Sequence, residues 1–287
     1  FSYNWTPKRN TSTRFDLLNI QFIRNLNTRN YFNVYSSSYN ALNELANSYP
    51  NTNPAYFDSD KNLIIENGTD GFINDVLNPN SSLIVTTEDK KEINNINERK
   101  IRLTENNLIF ASNFSFSKTT KNDIKDETYY GFKSKIESAG NFLSLITKTS
   151  KQINSQNQSD EIFGVAYSQY VKAELEYIKH WDLNRNKVLA FRSFVGVAIP
   201  YGNSTSVPFS RSYFAGGSND NRAWRPYSLG PGRVAAFNDY NEANLKIAAS
   251  AEFRFNFFGQ FNGALFVDAG NIWNVLDNVT DEKAVFT

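Results

Sequence analysis

The sequence predicts an all-β fold, an antiparallel transmembrane β-barrel of which these 287 residues supply about eight strands, joined by long extracellular loops. Three observations lead there. Apolar and polar side chains alternate over segments long enough to cross a bilayer. The connections between those segments are short and long by turns. The composition is 15% aromatic, yet the mean hydropathy is −0.51, because Asn, Ser, Thr and Lys are interleaved with the apolar residues. A soluble α/β enzyme would gather Leu, Ile and Val into continuous buried runs instead.

Taken in order, Phe1–Trp5 and Thr13–Ile23 read as the first two strands, the first of them cut short. Leu108, Phe110, Ser112, Phe114 and Phe116 then share one mostly apolar parity, against Ile109, Ala111, Asn113, Ser115 and Ser117, which lean polar. Tyr130, Phe132, Ile136 and Phe142 oppose Lys133, Lys135 and Glu137. Phe163, Val165, Tyr167, Val171, Ala173, Leu175 and Tyr177 oppose Ser168, Lys172, Glu174 and Glu176. Leu189, Phe191, Val195, Val197 and Ile199 oppose Arg192, Gly196 and Ala198. Leu245 to Phe257 set odd apolar positions against Lys246, Ser250, Glu252, Arg254 and Asn256, and Phe261, Leu265 and Val267 oppose Asn262 and Asp268. One aromatic and aliphatic face beside one charged face fits lipid outside and a wet lumen inside.

Short links fall at Thr6–Thr11, Thr119–Glu127, Trp181–Asn186 and Phe258–Gln260; long ones at Asn25–Glu98, Lys148–Ile162, Tyr201–Tyr240 and from Asn274 onward. Every long link therefore leaves the same end, as in an outer-membrane barrel with short periplasmic turns and long outside loops. The whole span, 1–287, reads as one partial barrel domain, with 25–98 a large extracellular insertion and 201–240 a long loop. Within the insertion, Tyr39–Tyr49 has helical spacing and Gly68–Leu77 suits a second short helix. The chain opens on Phe1 and has no methionine, and so reads as a piece of a longer product.

Several function classes are disfavoured. A net charge of +1 without a basic stripe argues against nucleic acid as a partner. Absent cysteine and a single histidine, His180, leave no ordinary zinc or iron–sulfur set, so no metal and no cofactor is expected. There is no Gly-rich phosphate loop and no nucleophile elbow, and the protein is read as not an enzyme. His180, beside Trp181 at a strand end, reads as an interfacial residue. Asp58, Asp60 and Asn62 begin like a calcium loop, but Leu63 replaces the turn glycine and Thr69 the closing glutamate.

The chemically informative stretch runs from Pro208 to Gly232 and is dense in Gly, Pro, aromatics and Arg. Gly216 and Gly217 permit positive φ, and Pro226 and Pro231 stiffen the exit. Arg222 and Arg225 bracket Ala223 and Trp224. Were the loop folded into the lumen, its guanidinium groups would need carboxylates, because an unpaired charge there is costly. The next two strands offer Glu252 and Asp268 on the inward parity. A surface loop with solvated arginines is the alternative.

Phe214-Ala-Gly-Gly-Ser-Asn, Asn221-Arg-Ala-Trp and Leu229-Gly-Pro, followed by Gly263-Ala-Leu-Phe-Val-Asp-Ala-Gly-Asn-Ile-Trp273, resemble the sixth-loop and aspartate-strand motifs of the BamA/TamA outer-membrane assembly superfamily, the bacterial surface antigens. Ser250-Ala-Glu-Phe253 resembles the strand between them, and order and spacing agree across Phe163–Trp273. The extended form Arg222-Ala-Trp-Arg-Pro with Leu229-Gly-Pro-Gly is most similar to the TamA-like lipoproteins of Bacteroidetes. The resemblance implies a barrel of about sixteen strands behind periplasmic POTRA modules, with this chain holding the sixth to thirteenth. It also implies a lumen-anchoring loop motif of Gly216, Gly217, Arg222, Ala223, Trp224, Arg225, Leu229, Gly230 and Pro231, with Arg222 paired to the inner-wall residues Glu252 and Asp268. Ala223 stands where the family usually has Gly. The implied function is insertion or translocation of outer-membrane proteins in the bacterial outer membrane, without covalent chemistry, by strand templating at a barrel seam outside this chain. Implied partners are nascent outer-membrane proteins, periplasmic or lipoprotein assembly partners, and outer-membrane lipid and lipopolysaccharide. A two-partner-secretion type transporter and a passive porin or uptake channel are the alternatives; a soluble carbohydrate-binding β-protein is a more distant one.

Overall fold

A computed structural model of the chain describes residues 1–123, 125–150, 160–162, 164–184, 186–234 and 241–286, without the side chains of 148–150. In chain order the elements are β1 (Ser2–Trp5), β2 (Thr11–Ile23), α1 (Tyr31–Val34), α2 (Ser36–Ser48), α3 (Gly68–Leu77), α4 (Thr87–Thr104), β3 (Asn107–Thr119), β4 (Tyr129–Ala139), α5 (Asn141–Ser150), β5 (Glu161–Ile162), β6 (Val165–Ala166), β7 (Tyr170–Asp182), β8 (Lys187–Pro200), β9 (Leu245–Phe258) and β10 (Phe261–Trp273). The two-residue strands β5 and β6 pair with each other. The rest form one 8-stranded sheet in the order β1-β2-β3-β4-β7-β8-β9-β10, antiparallel throughout. This is the wall of a transmembrane β-barrel in part. From β2 onward its strands run 11–14 residues, and about 9–11 suffice to cross a bilayer at a tilt.

Antiparallel register puts paired side chains on the same face, so alternation in one strand is copied into the next. Leu175 pairs with Val195 and Val195 with Ile247, extending an apolar row across three strands. On the other face Lys133 pairs with Glu176 and Lys135 with Glu174. The outward rows are exposed: Phe15, Ile20, Phe114, Ile136, Leu175, Val195, Leu265 and Val267 all lie open. Eight strands about 4.8 Å apart spread these rows over tens of ångströms, well beyond the patch of a few hundred Å² that a soluble monomer tolerates. Lipid is the solvent that suits this face.

β2 shows how the alternation survives a sequence irregularity. Phe15 and Ile20 differ in parity, yet Phe15 pairs with Phe114 and Ile20 with Phe110, both on the outward face. The register shifts between Asp16 and Asn19, so Leu17 and Leu18 oppose the single residue Ser112, whose hydroxyl donates to the Leu17 carbonyl at 2.6 Å. The extra residue is a β-bulge, which lets both apolar sets meet lipid.

Three expectations are corrected. Phe142 does not continue β4: Gly140, at φ +79°, ends the strand, and Phe142 lies in α5. Val165 and Tyr167 do not belong to β7, which begins at Tyr170; Val165 lies in β6 and Tyr167 bridges Leu108 in parallel. Phe163, placed by its parity in the same strand, lies outside the described residues, as do 151–159 of the neighbouring link and 235–240 of the long loop. Finally, the first long link does not end at Glu98, because α4 continues to Thr104 and β3 begins only at Asn107.

The insertion packs a core of its own. Phe32, Leu42, Ala46, Leu63, Phe72, Ile73, Val76, Ile93 and Ile96 are buried together between α1, α2, α3 and α4. α4 starts where the Thr86 side chain accepts from the Asp89 amide, with Glu88 and Asp89 in its first turn, as the helix dipole favours. Only Ile93 and Ile96 of its 18 residues are buried, so the sequence offers little apolar periodicity from which to read this helix. Arg102 ties α4 to the rest of the molecule, its Nη1 2.8 Å from Glu242 Oε1. Because this core is separate from the sheet, Phe72→Ala should cost about 3–5 kcal/mol locally. Hydrogen exchange should then show lost protection in α2, α3 and α4 with the strand amides unchanged; equal loss in both would mean the two cores unfold as one.

Candidate functional site

The loop after β8 turns back along the inward face of the sheet. Tyr213 and Ala243 exchange backbone hydrogen bonds at 2.7 and 2.9 Å, and Ala215 bridges Leu229. Val207, Tyr213 and Ala215 pack with Ile109, Ala111, Ala139, Tyr170, Ala198 and Ile272 into a buried cluster, with Leu229 at its edge. The wall makes room with small side chains. At Gly196 a Cβ would stand 2.6 Å from the Tyr213 ring, so any larger residue there would push the loop off the wall.

Within the loop, Gly216 adopts φ +101°, and a Cβ there would lie 2.2 Å from the Arg225 carbonyl. Gly217 donates its amide to the Trp224 carbonyl at 2.8 Å, and Trp224 donates its own to Asn221 at 3.0 Å. This tight bend aims Arg222 at the wall. Glu252 on β9 pairs directly with Phe266 on β10, and Asp268 follows two residues along the same inward face. Arg222 lies over the Phe266 ring at 3.6 Å. Its Nε and Nη2 donate to the two oxygens of Asp268 at 2.8 and 2.7 Å, and its backbone amide donates to Asp268 at 3.1 Å. Nη1 donates to Glu252, whose other oxygen is 2.6 Å from Arg254 Nε. The fork geometry is the strong, bidentate form of an arginine–carboxylate pair, and the ring face adds a cation–π contact. Asp268 first, and then Glu252, hold the guanidinium further above its ordinary pKa against the opposing effect of burial.

The other motif residues divide. Ala223, Trp224 and Arg225 are exposed, so of the two arginines only Arg222 is drawn to the carboxylates. No positive φ occurs at Ala223, so the backbone accepts a Cβ where glycine is usual. Gly230 is buried beside Ile272, the Gly230–Pro231 bond is cis, and Gly232 donates to the Ile272 carbonyl at 2.7 Å. His180 turns inward and stacks on Tyr129 at 4.5 Å, at the short-turn end of the sheet. Asp58 is occupied within its own turn, accepting from the amides of Asp60 and Asn62 at 2.9 and 2.8 Å.

Further anchors escaped the sequence reading. Arg211 lies 3.4 Å from Glu137 and donates to Gln21 at 3.1 Å; Glu137 is buried and accepts from the Tyr170 hydroxyl at 2.7 Å. Lys172 donates to the Arg211 carbonyl at 2.8 Å. Arg192 donates to the Asn219 carbonyl at 2.7 Å, and Lys246 meets Asp220 at 2.9 Å. Inward parity marks Glu137, Lys172, Arg192 and Lys246 in the sequence, but nothing in it says which loop atom each would meet.

The Omp85 superfamily domain matches residues 1–286. The chain belongs to the Omp85 superfamily. That membership and the likeness below make it a bacterial outer-membrane protein, in keeping with the lipid-facing wall. This Omp85 chain is also similar to the outer membrane protein assembly factor BamA of Neisseria meningitidis serogroup B (strain ATCC BAA-335 / MC58), at 28% identity over 116 residues, 37% of this chain. The match spans 14% of that relative's length.

The geometry ranks the two carboxylates. Asp268 accepts three hydrogen bonds from Arg222 and Glu252 one. At about 1.5–3 kcal/mol for a hydrogen bond to a charged group, Asp268→Asn should destabilise the folded barrel clearly more than Glu252→Gln. The check is the temperature at which the folded band is lost on a denaturing gel; the reverse order would contradict the geometry.

Proposed function

We propose that this chain forms part of the wall of an outer-membrane protein assembly or translocation factor of the BamA/TamA class, acting without covalent chemistry. The observation that carries the reading is the seating of Arg222 on Asp268 and Glu252, which holds the long loop inside the wall. Membership of the Omp85 superfamily and the likeness to an assembly factor support it. A barrel that templates incoming strands by edge pairing must open along one seam. The remaining wall must keep its register while it does so. A loop joined to β2 through Arg211, to β7 through Lys172, to β8 through Arg192 and to β9 and β10 through Arg222 is suited to bracing it.

In this reading the anchoring motif is Gly216, Gly217, Arg222, Ala223, Trp224, Arg225, Leu229, Gly230 and Pro231, and the helical insertion projects outside the cell. The clients are nascent outer-membrane proteins, handed over by periplasmic or lipoprotein partners, with outer-membrane lipid and lipopolysaccharide around the wall. The extended loop sequence supports a place near the TamA-like lipoproteins of Bacteroidetes.

The test is Arg222→Ala in the full-length gene as sole copy. The expected outcome is a lower unfolding temperature of the barrel and reduced levels of folded outer-membrane proteins, partly recovered in Arg222→Lys. A variant normal in both respects would overturn the proposal. Solute-selective conductance of the purified protein, with no assembly defect on depletion, would point to an uptake channel instead.

A further inference from the structure

α5 is inverted relative to a helix on a water-soluble surface. Such a helix buries its apolar stripe and exposes its polar one. Here Phe142, Leu145 and Ile146 are 55, 66 and 44% exposed, while Ser144 and Thr147 are buried together with Leu143. The spacing i, i+3, i+4 places Phe142, Leu145 and Ile146 on one face. The polar face is held by the protein. Thr147 Oγ1 lies 3.3 Å from Asp160 and 3.4 Å from the Tyr167 hydroxyl. Asn141 Oδ1 accepts from the Tyr201 hydroxyl at 2.8 Å and from Gln169 at 3.1 Å. These bonds fix the helix with its apolar side turned away from the molecule.

That side is continuous with the lipid-facing wall. The Gly140 amide donates to the Phe110 carbonyl at 3.0 Å, so α5 starts at the rim of the sheet. The Phe142 ring stacks on Phe110 at 5.2 Å. Phe110 belongs to the outward row, paired with Ile20. α5 lies in the β4–β7 link, at the long-loop end, which in outer-membrane barrels is the outer side.

We infer that the apolar face of α5 lies in the outer leaflet, where Phe142, Leu145 and Ile146 enter the boundary between headgroups and acyl chains and extend the wall's hydrophobic belt beyond the strand ends. The occupant of this surface is lipid. A short helix with one apolar face suits the interface plane, and aromatic residues such as Phe142 at a barrel rim contribute to its girdle. The surface is independent of what the barrel assembles or transports.

The chain contains no cysteine, so single-site spin labelling of this region is direct. The full-length protein, freed of any cysteine elsewhere, is reconstituted into phosphatidylcholine–phosphatidylglycerol vesicles with a nitroxide at Leu145→Cys or at Ile146→Cys. Leu175→Cys on the outward wall and Ile84→Cys on the helical insertion are the references. Collision with oxygen and with a water-soluble nickel chelate is measured at each site. The ratio of oxygen to nickel accessibility at both α5 sites should exceed that at Ile84 several-fold and approach that at Leu175. A ratio equal to that at Ile84 would put the face in water and overturn the inference. Shielding from both agents would overturn it too, since the cover would then be protein. Two independent labelling sites, each checked for the folded gel band, keep the test decisive if one variant fails to fold.

Discussion

A strand with lipid on one side has only its alternate residues left for anything else. That two-residue period governs the molecule. Outward positions must be apolar from one strand to the next, because no water is available there to satisfy a polar group. Among the described residues, most of the strands' charge and their ties to the long loop therefore collect on the inward positions, while the outward-parity Lys118 and Lys179 lie near strand ends. Register transmits the division from strand to strand, and where β2 falls out of step a single extra residue restores it. A shift of one residue without that bulge would send Asp16 into lipid and Phe15 into the lumen.

Concentrating charge on one face creates its own demand. Guanidinium groups and carboxylates held away from bulk water need partners, and a largely desolvated pair is costly to break. The loop after β8 meets that demand along its length, as arginines and backbone carbonyls of the loop find carboxylates and lysines of the wall. Between these polar ties, the small side chains Ala111, Ala139, Gly196 and Ala198 let the loop pack against the sheet. The result is a lumen face that is apolar beneath the loop and charged around it. Arg222 is the point where several of these constraints meet: a tight glycine bend, an aromatic floor and two carboxylates from adjacent strands.

The helical insertion follows different rules. It lies off the end of the sheet, buries its own aromatic and aliphatic residues, and joins the rest through polar contacts such as Arg102 with Glu242 and Lys91 with Glu282. Water on its outside allows helices with a conventional amphipathic arrangement. α5, which follows β3 and β4, has the opposite arrangement because it begins at the rim of the lipid-facing wall.

The sequence by itself determined the strands, their faces and the alternation of short and long links, since a period of two residues and the length of a bilayer crossing are local properties. It also put Glu252 and Asp268 on the inward parity and marked the Gly- and Arg-rich loop. Only the tertiary structure decided which arginine reaches them: Arg222 and Arg225 are alike in composition and differ in which way the Gly216–Gly217 bend turns them. The same holds for Arg211 with Glu137, residues far apart in sequence whose meeting depends on the path of the whole loop. α4 was illegible because a helix that buries two isoleucines leaves almost no periodic signal. Phe142 shows the boundary most clearly. Its apolar character announced a residue facing lipid, but whether strand or helix carried it there was settled by a glycine turn and by the hydrogen bonds Asn141 makes with distant residues.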